Sequence, residues 1–440
     1  MERARYPPGD GAGSKKPRHA LASWGVGASL GVRHVNWFHI LTATIIVVTL
    51  IGVAVGRYPV LKMNRATIAL VGATMLVALR VLTLDEAYRA VDWNTIVLLF
   101  GMMVLNVNLR MAGFFHLVTA HVLKFARTPR RLLALIVVVS GVCSAIFLND
   151  TIVLVFTPLV LAIAAALRRN PLPYLVGLVT AANIGSVGTI IGNPQNMLVG
   201  ISSGIPFLAF TRALAPIGLL GLGIIWVVIV LVYRRDFRAE FFEHTYQLTP
   251  EVKRPRLRKA LFATVVMLVA LVAGAPVPLA ALLAAAVLLV TRRTDTAQVF
   301  QEIDWALLVF FAALFVVTGA IETSGLGAHL FRILQPYANG GPGPLTAVSL
   351  VLSNLVSNVP AVMLFRPVVP TLADPHMAWL TLAMATTLAG NLTLLGSVAN
   401  LIVAEIARGR GVHLSFTEYM KAGTPIAILS LLLGVAWLSW

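Results

Sequence analysis

The sequence predicts an all-α polytopic membrane protein made of two inverted repeats. Of its 440 residues 58% are hydrophobic and only 12% are charged, whereas soluble domains contain about 25% charged residues. Apolar runs of about 20 residues recur along the chain, long enough to cross a bilayer at ~1.5 Å per residue. Polar motifs of the first half also return in the second half in the same order. Together these features predict a multi-pass protein of the cell inner (plasma) membrane.

The first half is predicted to contain five crossings and one hairpin. Residues 1–35 are basic and rich in glycine and proline, so we expect a flexible N-terminal arm. An apolar stretch is interrupted by Phe-Leu-Asn-Asp-Thr at 147–151, and its arms are short for full spans, which favours a re-entrant hairpin. The predicted elements are spans at about 36–56, 65–82 and 92–115, the hairpin at 132–167, a broken helix at 173–200 and a span at 213–233.

The broken helix contains the most informative stretch, AANIGSVGTIIGNPQNMLVG at 181–200. Glycine and proline interrupt helices and free backbone groups from their i→i−4 partners. In hydrocarbon this is tolerated only where the freed groups face protein, an aqueous cavity or a bound solute. Secondary transporters build binding sites from such discontinuous helices. We therefore expect a solute site at this break.

The second half follows a polar, basic linker at 234–258, which we expect on the cytoplasmic side. The predicted elements are spans at about 259–275, 277–291 and 304–323, a hairpin at 345–372, an interrupted helix at 377–405 and a last span at 422–439. The predicted organisation is thus an arm at 1–35, a first repeat at 36–233, the linker and a second repeat at 259–440.

Three sets of matching residues relate the halves. Asp92-Trp93 returns as Asp304-Trp305. The remaining matches pair Ser144, Asn149, Phe156 and Pro158 with Ser353, Asn358, Phe365 and Pro367, and Thr189, Gly192 and Asn196 with Thr393, Gly396 and Asn400. Because each half has five crossings, an odd number, the two halves enter the membrane from opposite sides. The repeats should therefore be inverted, with both hairpin tips and both breaks near the midplane.

Charge and composition exclude several function classes. The formal net charge of +17 is concentrated in loops that we expect in the cytoplasm, so it indicates membrane topology and anionic lipid rather than nucleic acid. The single cysteine, Cys143, excludes an internal disulfide, and the nine histidines have no metal-ligand spacing. We expect no metal, no cofactor and no enzymatic activity.

Polar residues at the hairpin tips and breaks are the candidate solute ligands. Amide, hydroxyl and backbone groups at half-helix ends can bind a polar neutral solute or an oxyanion. The candidates are Asn149, Thr151, Asn183, Ser186, Thr189, Asn193, Asn196, Ser357, Asn358, Asn391, Thr393, Ser397 and Asn400.

Asp150 differs from these residues because it is an acid predicted at membrane depth, and its repeat counterpart is Val359. An intramembrane carboxylate is costly unless it is paired or protonated. We therefore predict that Asp150 carries the coupling proton or cation, with a structural role in the hairpin turn as the alternative. Arg366 is predicted to snorkel to the membrane interface. Asn106 and Asn108 are predicted either to line the pathway or to pack helices.

At these motifs the chain resembles the ion transporter superfamily, which includes arsenite/antimonite efflux permeases, silicic-acid efflux proteins, sodium/proton antiporters and sodium–dicarboxylate symporters. The motifs are FLNDTIVLVFTPLV at 147–160, ANIGSVGTIIGNPQN at 182–196, SNVPAVMLF at 357–365 and GNLTLLGSVAN at 390–400. Asn-Asp at the first hairpin followed by Thr-Pro is similar to the arsenite-permease and sodium/proton branches. Dicarboxylate symporters have Ser-Asn-Thr there instead.

The resemblance implies alternating access and homodimer formation. It also implies exchange of neutral arsenite or antimonite for protons and association with a soluble ATPase partner. We therefore predict a secondary transporter for proton-coupled arsenite or antimonite efflux. A sodium/proton antiporter using Asp150 and a sodium-coupled oxyanion or dicarboxylate symporter are the alternatives.

Overall fold

The computed structural model describes residues 37–55, 57–58, 63–238, 242, 251–290, 296–326, 332 and 335–440. The predicted N-terminal arm lies outside these ranges, as do residues 239–241 and 243–250 of the predicted linker.

The first half consists of helices joined by short connections, with a small antiparallel pair of strands, β1 (Arg57–Tyr58) and β2 (Met63–Asn64). The helices are α1 (Trp37–Val55), α2 (Arg65–Ala78), α3 (Leu84–Ala90), α4 (Trp93–Met111), α5 (Phe114–Phe125), α6 (Pro129–Ile146), α7 (Asn149–Ala166), α8 (Leu172–Ser186), α9 (Pro194–Ser203) and α10 (Phe207–Val232).

The second half contains a similar series of helices, with 3₁₀ turns at Val369–Thr371 and Leu394–Gly396. Its helices are α11 (Arg254–Val272), α12 (Val277–Leu289), α13 (Thr296–Gln301), α14 (Trp305–Thr323), α15 (Pro342–Val356), α16 (Asn358–Phe365), α17 (Pro375–Ala389), α18 (Val398–Gly409) and α19 (Phe416–Leu438).

The protein is an all-α polytopic membrane protein. Seven of the described helices, among them α1, α4, α10 and α19, are long and apolar enough to cross a bilayer. A helix–turn–helix segment stands at each predicted hairpin, and both helices predicted to be broken are interrupted. α6 and α7 are each long and apolar enough to cross a bilayer, so the re-entrant character of the hairpins stays a prediction. α6 and α7 meet at 147–148 and α15 and α16 at Ser357, while α8 and α9 are separated by 187–193.

Several predicted bounds differ from the observed helices; α10 begins at Phe207 instead of 213, and α19 begins at Phe416 instead of 422. The predicted span at 92–115 ends at Met111, and a separate helix, α5, follows. Gly113 makes this break with φ +83°, where a Cβ would lie 2.2 Å from the Glu251 carbonyl oxygen, so that a side chain is excluded. The span predicted at about 259–275 is α11, which already begins at Arg254. Pro255 stands in the first turn of that helix, where its missing N–H costs nothing.

The helices form two packed groups with a cavity between them. In the first group α4 packs against α11 and α12, and α2 packs against α1 and α14. In the second group α6 packs against α8, α15 against α17 and α7 against α18. The second group therefore contains both hairpins and both broken helices, and the first group forms the opposite wall of the cavity.

Candidate functional site

The tip of the first hairpin is fixed to the first helix break. Ser144 Oγ in α6 donates a hydrogen bond to the Ala182 carbonyl oxygen over 2.6 Å. The backbone N–H of Asn149, at the start of α7, donates to the Gly192 carbonyl oxygen over 3.0 Å. These bonds satisfy backbone groups that the hairpin turn and the break leave free, so the two irregular segments support each other.

Side chains of the first break donate hydrogen bonds to carbonyls within it and at the end of α6. Asn196 Nδ2 donates to the carbonyl oxygens of Ser186 and Thr189, each over 3.0 Å. Thr189 Oγ1 donates to the Ala145 carbonyl oxygen over 2.5 Å. The Asn193 side chain caps α9 by accepting from the Asn196 N–H over 2.8 Å. The amides and hydroxyl thus stabilise a break that hydrocarbon alone would not tolerate.

The second break repeats part of this arrangement. Asn400 Nδ2 donates to the carbonyl oxygens of Gly390 and Thr393, over 2.8 and 3.0 Å. Thr393 Oγ1 lies 3.4 Å from Asn354 Oδ1 and donates to it. The Ser397 side chain caps α18. The two Asn400 bonds join counterparts of the residues that Asn196 joins in the first half. Ser397 accepts from the Ala399 N–H instead, and Thr393 binds a side-chain oxygen instead of a backbone carbonyl, so the match of contacts is partial.

The two breaks are joined to each other by buried amides. Asn183 Nδ2 donates to Asn391 Oδ1 over 2.8 Å and to Asn400 Oδ1 over 3.1 Å. Asn183 Oδ1 accepts from Asn149 Nδ2 over 3.1 Å and from Ser397 Oγ over 3.3 Å. The side-chain oxygen and nitrogen of Asn183 are thus both hydrogen-bonded, and they connect the first break to the first hairpin and to the second break.

Thr387, the counterpart of Asn183 in the second half, occupies the corresponding position. Its hydroxyl accepts from Asn193 Nδ2 and Gln195 Nε2, each over 3.3 Å, and donates to Asn196 Oδ1 over 3.2 Å. Two of these contacts are thus related across the halves: Asn183–Ser397 corresponds to Thr387–Asn193, and Asn183–Asn400 corresponds to Thr387–Asn196.

A central cavity of about 260 Å³ lies against this network. Both hairpin tips and both breaks contribute to its lining, together with the starts of α2 and α14. The lining residues are Asn64, Arg65, Ala66, Asn149, Asp150, Pro194, Gln195, Asp304, Ala306, Leu307, Phe310, Phe311, Ser357, Asn358, Val359, Ser397 and Val398.

Four of the helices that begin at this cavity belong to the hairpins and breaks. α7 begins at Asn149, α9 at Pro194, α16 at Asn358 and α18 at Val398, and all four residues line it. The N-terminus of a helix presents unbonded N–H groups and a partial positive charge. The cavity is therefore suited to oxygen-rich solutes and to a carboxylate within its wall.

Asp150 shares the cavity with two charged residues that the sequence did not indicate. Arg65 is the first residue of α2, and Asp304 is the N-cap of α14; both interact electrostatically with Asp150. Asp304 also accepts a hydrogen bond from the Leu307 N–H over 3.0 Å. Among the described residues, none donates a hydrogen bond to the Asp150 carboxylate. Asp150 and Asp304 are thus both acids of the site, but only Asp150 accepts no hydrogen bond from a described residue.

Asn149 contributes an unused acceptor. The residue is 5% exposed, and among the described residues no donor reaches its Oδ1. Burying an amide oxygen without a partner costs about 1–3 kcal/mol. A solute that brings an O–H or N–H group to this oxygen would recover that free energy.

The predicted ligands fall into two sets in the structure. Asn149, Asp150, Ser357, Asn358 and Ser397 line the central cavity, and Thr151 lines an adjoining one. The other candidates do not line the central cavity, and their polar groups hold the breaks together: Asn183, Ser186, Thr189, Asn193, Asn196, Asn391, Thr393 and Asn400. A direct role of this second set in solute binding stays a prediction.

Arg366 does not simply extend to the membrane interface. Its Nη2 lies 3.2 Å from Asp92 Oδ2, and its guanidinium lies 5.6 Å from the centre of the Phe315 ring. The sequence pattern of a basic residue beyond a hairpin tip could not reveal this partner, because Asp92 lies 274 positions away.

Comparisons with known proteins agree with this architecture. A family model described as citrate transporter, CitMHS, matches residues 40–389. The silicon efflux transporter LSI3 of Oryza sativa subsp. japonica is 30% identical, covering 86% of this chain and 93% of the relative. The putative transporter arsB of Dictyostelium discoideum is 23% identical and covers 90% and 91%.

The same fold is found in a solved structure. The crystal structure of the Alcanivorax borkumensis YdaH transporter, described as having an unusual topology, matches with a TM-score of 0.55 at 16% identity, covering 91% of this chain and 97% of that one. The chain is therefore a secondary transporter of the CitMHS citrate transporter family, within the ion transporter superfamily.

Proposed function

We propose that this transporter exports arsenite or antimonite, as the neutral trihydroxide, in exchange for protons. The observation that carries the proposal is Asp150, whose carboxylate lines the central cavity without a hydrogen-bond donor among the described residues. An ionised carboxylate only accepts hydrogen bonds, while its protonated form donates one. A trihydroxide and a proton would therefore compete for the same oxygen, and this competition is the requirement for antiport.

The rest of the cavity complements a solute with both donors and acceptors. Asn149 Oδ1, the buried acceptor without a described partner, could accept from a solute O–H group if a shift of the hairpin tip exposes it to the cavity. The solute's oxygens could accept from the N–H groups at the starts of α9 and α18. Such a solute needs hydrogen bonds rather than a counter-charge, which agrees with a site whose uncharged polar side chains are amides and hydroxyls. The names of the relatives, a silicon efflux transporter and a putative arsB transporter, support the same class of solute.

An oxyanion or a carboxylate is the second candidate solute. Four helix N-termini and Arg65 surround the cavity with positive potential. The description of the matching family as citrate transporters supports this candidate. Asp150 opposes it, because its negative charge lies in the same cavity.

The test is arsenite flux into and out of proteoliposomes with an imposed pH gradient. We expect ΔpH-driven arsenite movement in the wild type and loss of it, by at least tenfold, in Asp150→Asn. Asp85→Asn is the matched control, since Asp85 is an exposed acid in α3 and lines none of the described cavities. Unchanged ΔpH-driven flux in Asp150→Asn would exclude Asp150 as the proton carrier.

Two further outcomes would change the assigned solute. Dissipation of ΔpH by Na⁺ without arsenite movement would establish the sodium/proton alternative. Uptake of citrate or succinate that an inward Na⁺ gradient drives, with no arsenite flux, would establish the anion symporter.

A further inference from the structure

A second cavity, the side cavity, adjoins the central cavity at Asp150. Its volume is about 150 Å³, and Asp150, Pro194, Asp304 and Leu307 line both cavities. Asp150 therefore stands in the wall between them and can be reached from either side. A water molecule occupies roughly 30 Å³ in the liquid, so the side cavity has room for several.

The side cavity contains its own unsatisfied acceptor. Asn106 in α4 is 2% exposed, and among the described residues none donates to its Oδ1. Its Nδ2 lies 3.5 Å from Thr151 Oγ1, next to Asp150 in the chain. A buried amide oxygen of this kind is normally satisfied by protein or by water. Asn106 and Thr151 thus place a polar pair beside Asp150 in a cavity otherwise lined by residues such as Met103 and Leu154.

The far end of the side cavity carries an ion pair. Arg110, in the last turn of α4, is paired with Glu302, which precedes α14, and the two side chains are 27% and 52% exposed. Both residues line the cavity, so it extends from Asp150 to side chains that are partly exposed on the surface of the protein. The central cavity, in contrast, is lined by neither of them.

We propose that the side cavity is the path by which protons pass between Asp150 and the membrane face that carries Arg110 and Glu302, separate from the central cavity that holds the solute. This inference rests on the proposed proton coupling. In the uptake step a hydronium in the side cavity transfers its proton to an Asp150 carboxylate oxygen, leaving water and a neutral acid. The reverse step returns the proton to water.

The charged groups around Asp150 agree with this assignment. Arg65 approaches from α2 and Asp304 from the start of α14, while Arg110 and Glu302 neutralise each other at the far end. Asp304 is engaged as the cap of α14. Among the described carboxylates that line both cavities, Asp150 is the one that no described residue engages in a hydrogen bond.

Cysteine accessibility tests the path independently of transport. In a Cys143→Ala background, Asn106→Cys should react with the small cationic reagent methanethiosulfonate ethylammonium. Val104→Cys is the control, because Val104 is fully buried on the same helix and lines neither cavity. Equal, negligible labelling at both positions would overturn the proposal, even if the wild type couples arsenite to protons.

Transport assays distinguish a proton path from a structural role. Asn106→Leu should lower ΔpH-driven arsenite flux at least tenfold but keep arsenite–arsenite exchange, which requires no net proton movement. Asn106→Ser should restore part of the ΔpH-driven flux, and Met103→Leu, an apolar change in the same cavity, should leave both rates unchanged. Full ΔpH-driven flux in Asn106→Leu, or loss of exchange in both Asn106 variants, would overturn the proposal. Absence of ΔpH-driven flux in the wild type would instead refute the proposed function.

Discussion

Arg366 and Asp92 form an ion pair, 3.2 Å between Nη2 and Oδ2, that joins the two groups of helices. Asp92 caps α4 in the first group by accepting from the Thr95 N–H, and it is almost fully buried. Arg366 directly follows α16, the second helix of the second hairpin, which belongs to the second group. The pair therefore holds the second hairpin against the opposite wall of the central cavity.

We expect this pair to stabilise the observed arrangement by about 1 kcal/mol, because one partner is buried and the other is partly exposed. Asp92→Asn removes the charge but keeps a good helix cap, and Arg366→Gln removes the other charge. Each single variant should lower the midpoint temperature of unfolding in detergent, and the double variant should lower it by less than the sum. A thiol-reactive fluorophore provides the measurement, since Cys143 is the single cysteine and is buried. Additive effects would show that the pair contributes nothing.

Close packing of α6 and α8 depends on Gly185. A Cβ at this position would lie 2.2 Å from the Gly141 carbonyl oxygen and 2.4 Å from the Gly141 Cα, so the contact is with backbone and cannot yield by a rotamer change. Gly185→Ala should separate the first hairpin from the first broken helix and destabilise the protein by about 1–3 kcal/mol. Gly223→Ala in α10 is the control, because its Cβ would meet no atom within 4 Å. The same thiol-based unfolding measurement checks both, and an equal midpoint temperature for the two variants would contradict the packing argument.

Asn183 is the amide on which the joined breaks depend. Asn183→Ala would leave Asn391 Oδ1, Asn400 Oδ1 and Asn149 Nδ2 without their present partner. Buried polar groups without partners cost about 1–3 kcal/mol each, so we expect a marked loss of thermal stability and of flux. Asn94→Ala removes an exposed amide at the start of α4 and should leave the unfolding midpoint unchanged. Wild-type stability in Asn183→Ala would indicate that the amide network contributes little.

Much of this architecture could be predicted from the sequence because the irregular segments carry their own local signals. Asn193-Pro194 is a helix cap followed by proline at the first helical position, and it starts α9 as that pattern requires. Matching polar residues at constant offsets also indicated that each half contains one hairpin and one broken helix.

The charges at the site could not be predicted in the same way. Arg65 and Asp304 stand at helix starts. From the sequence alone Arg65 would be interpreted as an interfacial residue and Asp304 as a helix cap, because only tertiary packing brings them to Asp150. Likewise, the sequence could not separate amides that line the cavity, such as Asn149, from those that hold the breaks, such as Asn196. Both kinds have the same residue type and the same position near a break.

The opposite charges of Arg65 and Asp304 predict opposite pH effects on transport. Both act on Asp150, so removing the Arg65 charge favours the protonated form of Asp150 and removing the Asp304 charge favours the ionised form. Arg65→Gln should therefore move the pH dependence of arsenite exchange toward higher pH, and Asp304→Asn should move it toward lower pH. Asn at position 304 keeps the helix cap, so the second variant isolates the charge. Exchange rates measured in proteoliposomes at equal internal and external pH give both midpoints, and shifts of the same sign in the two variants would contradict the electrostatic argument.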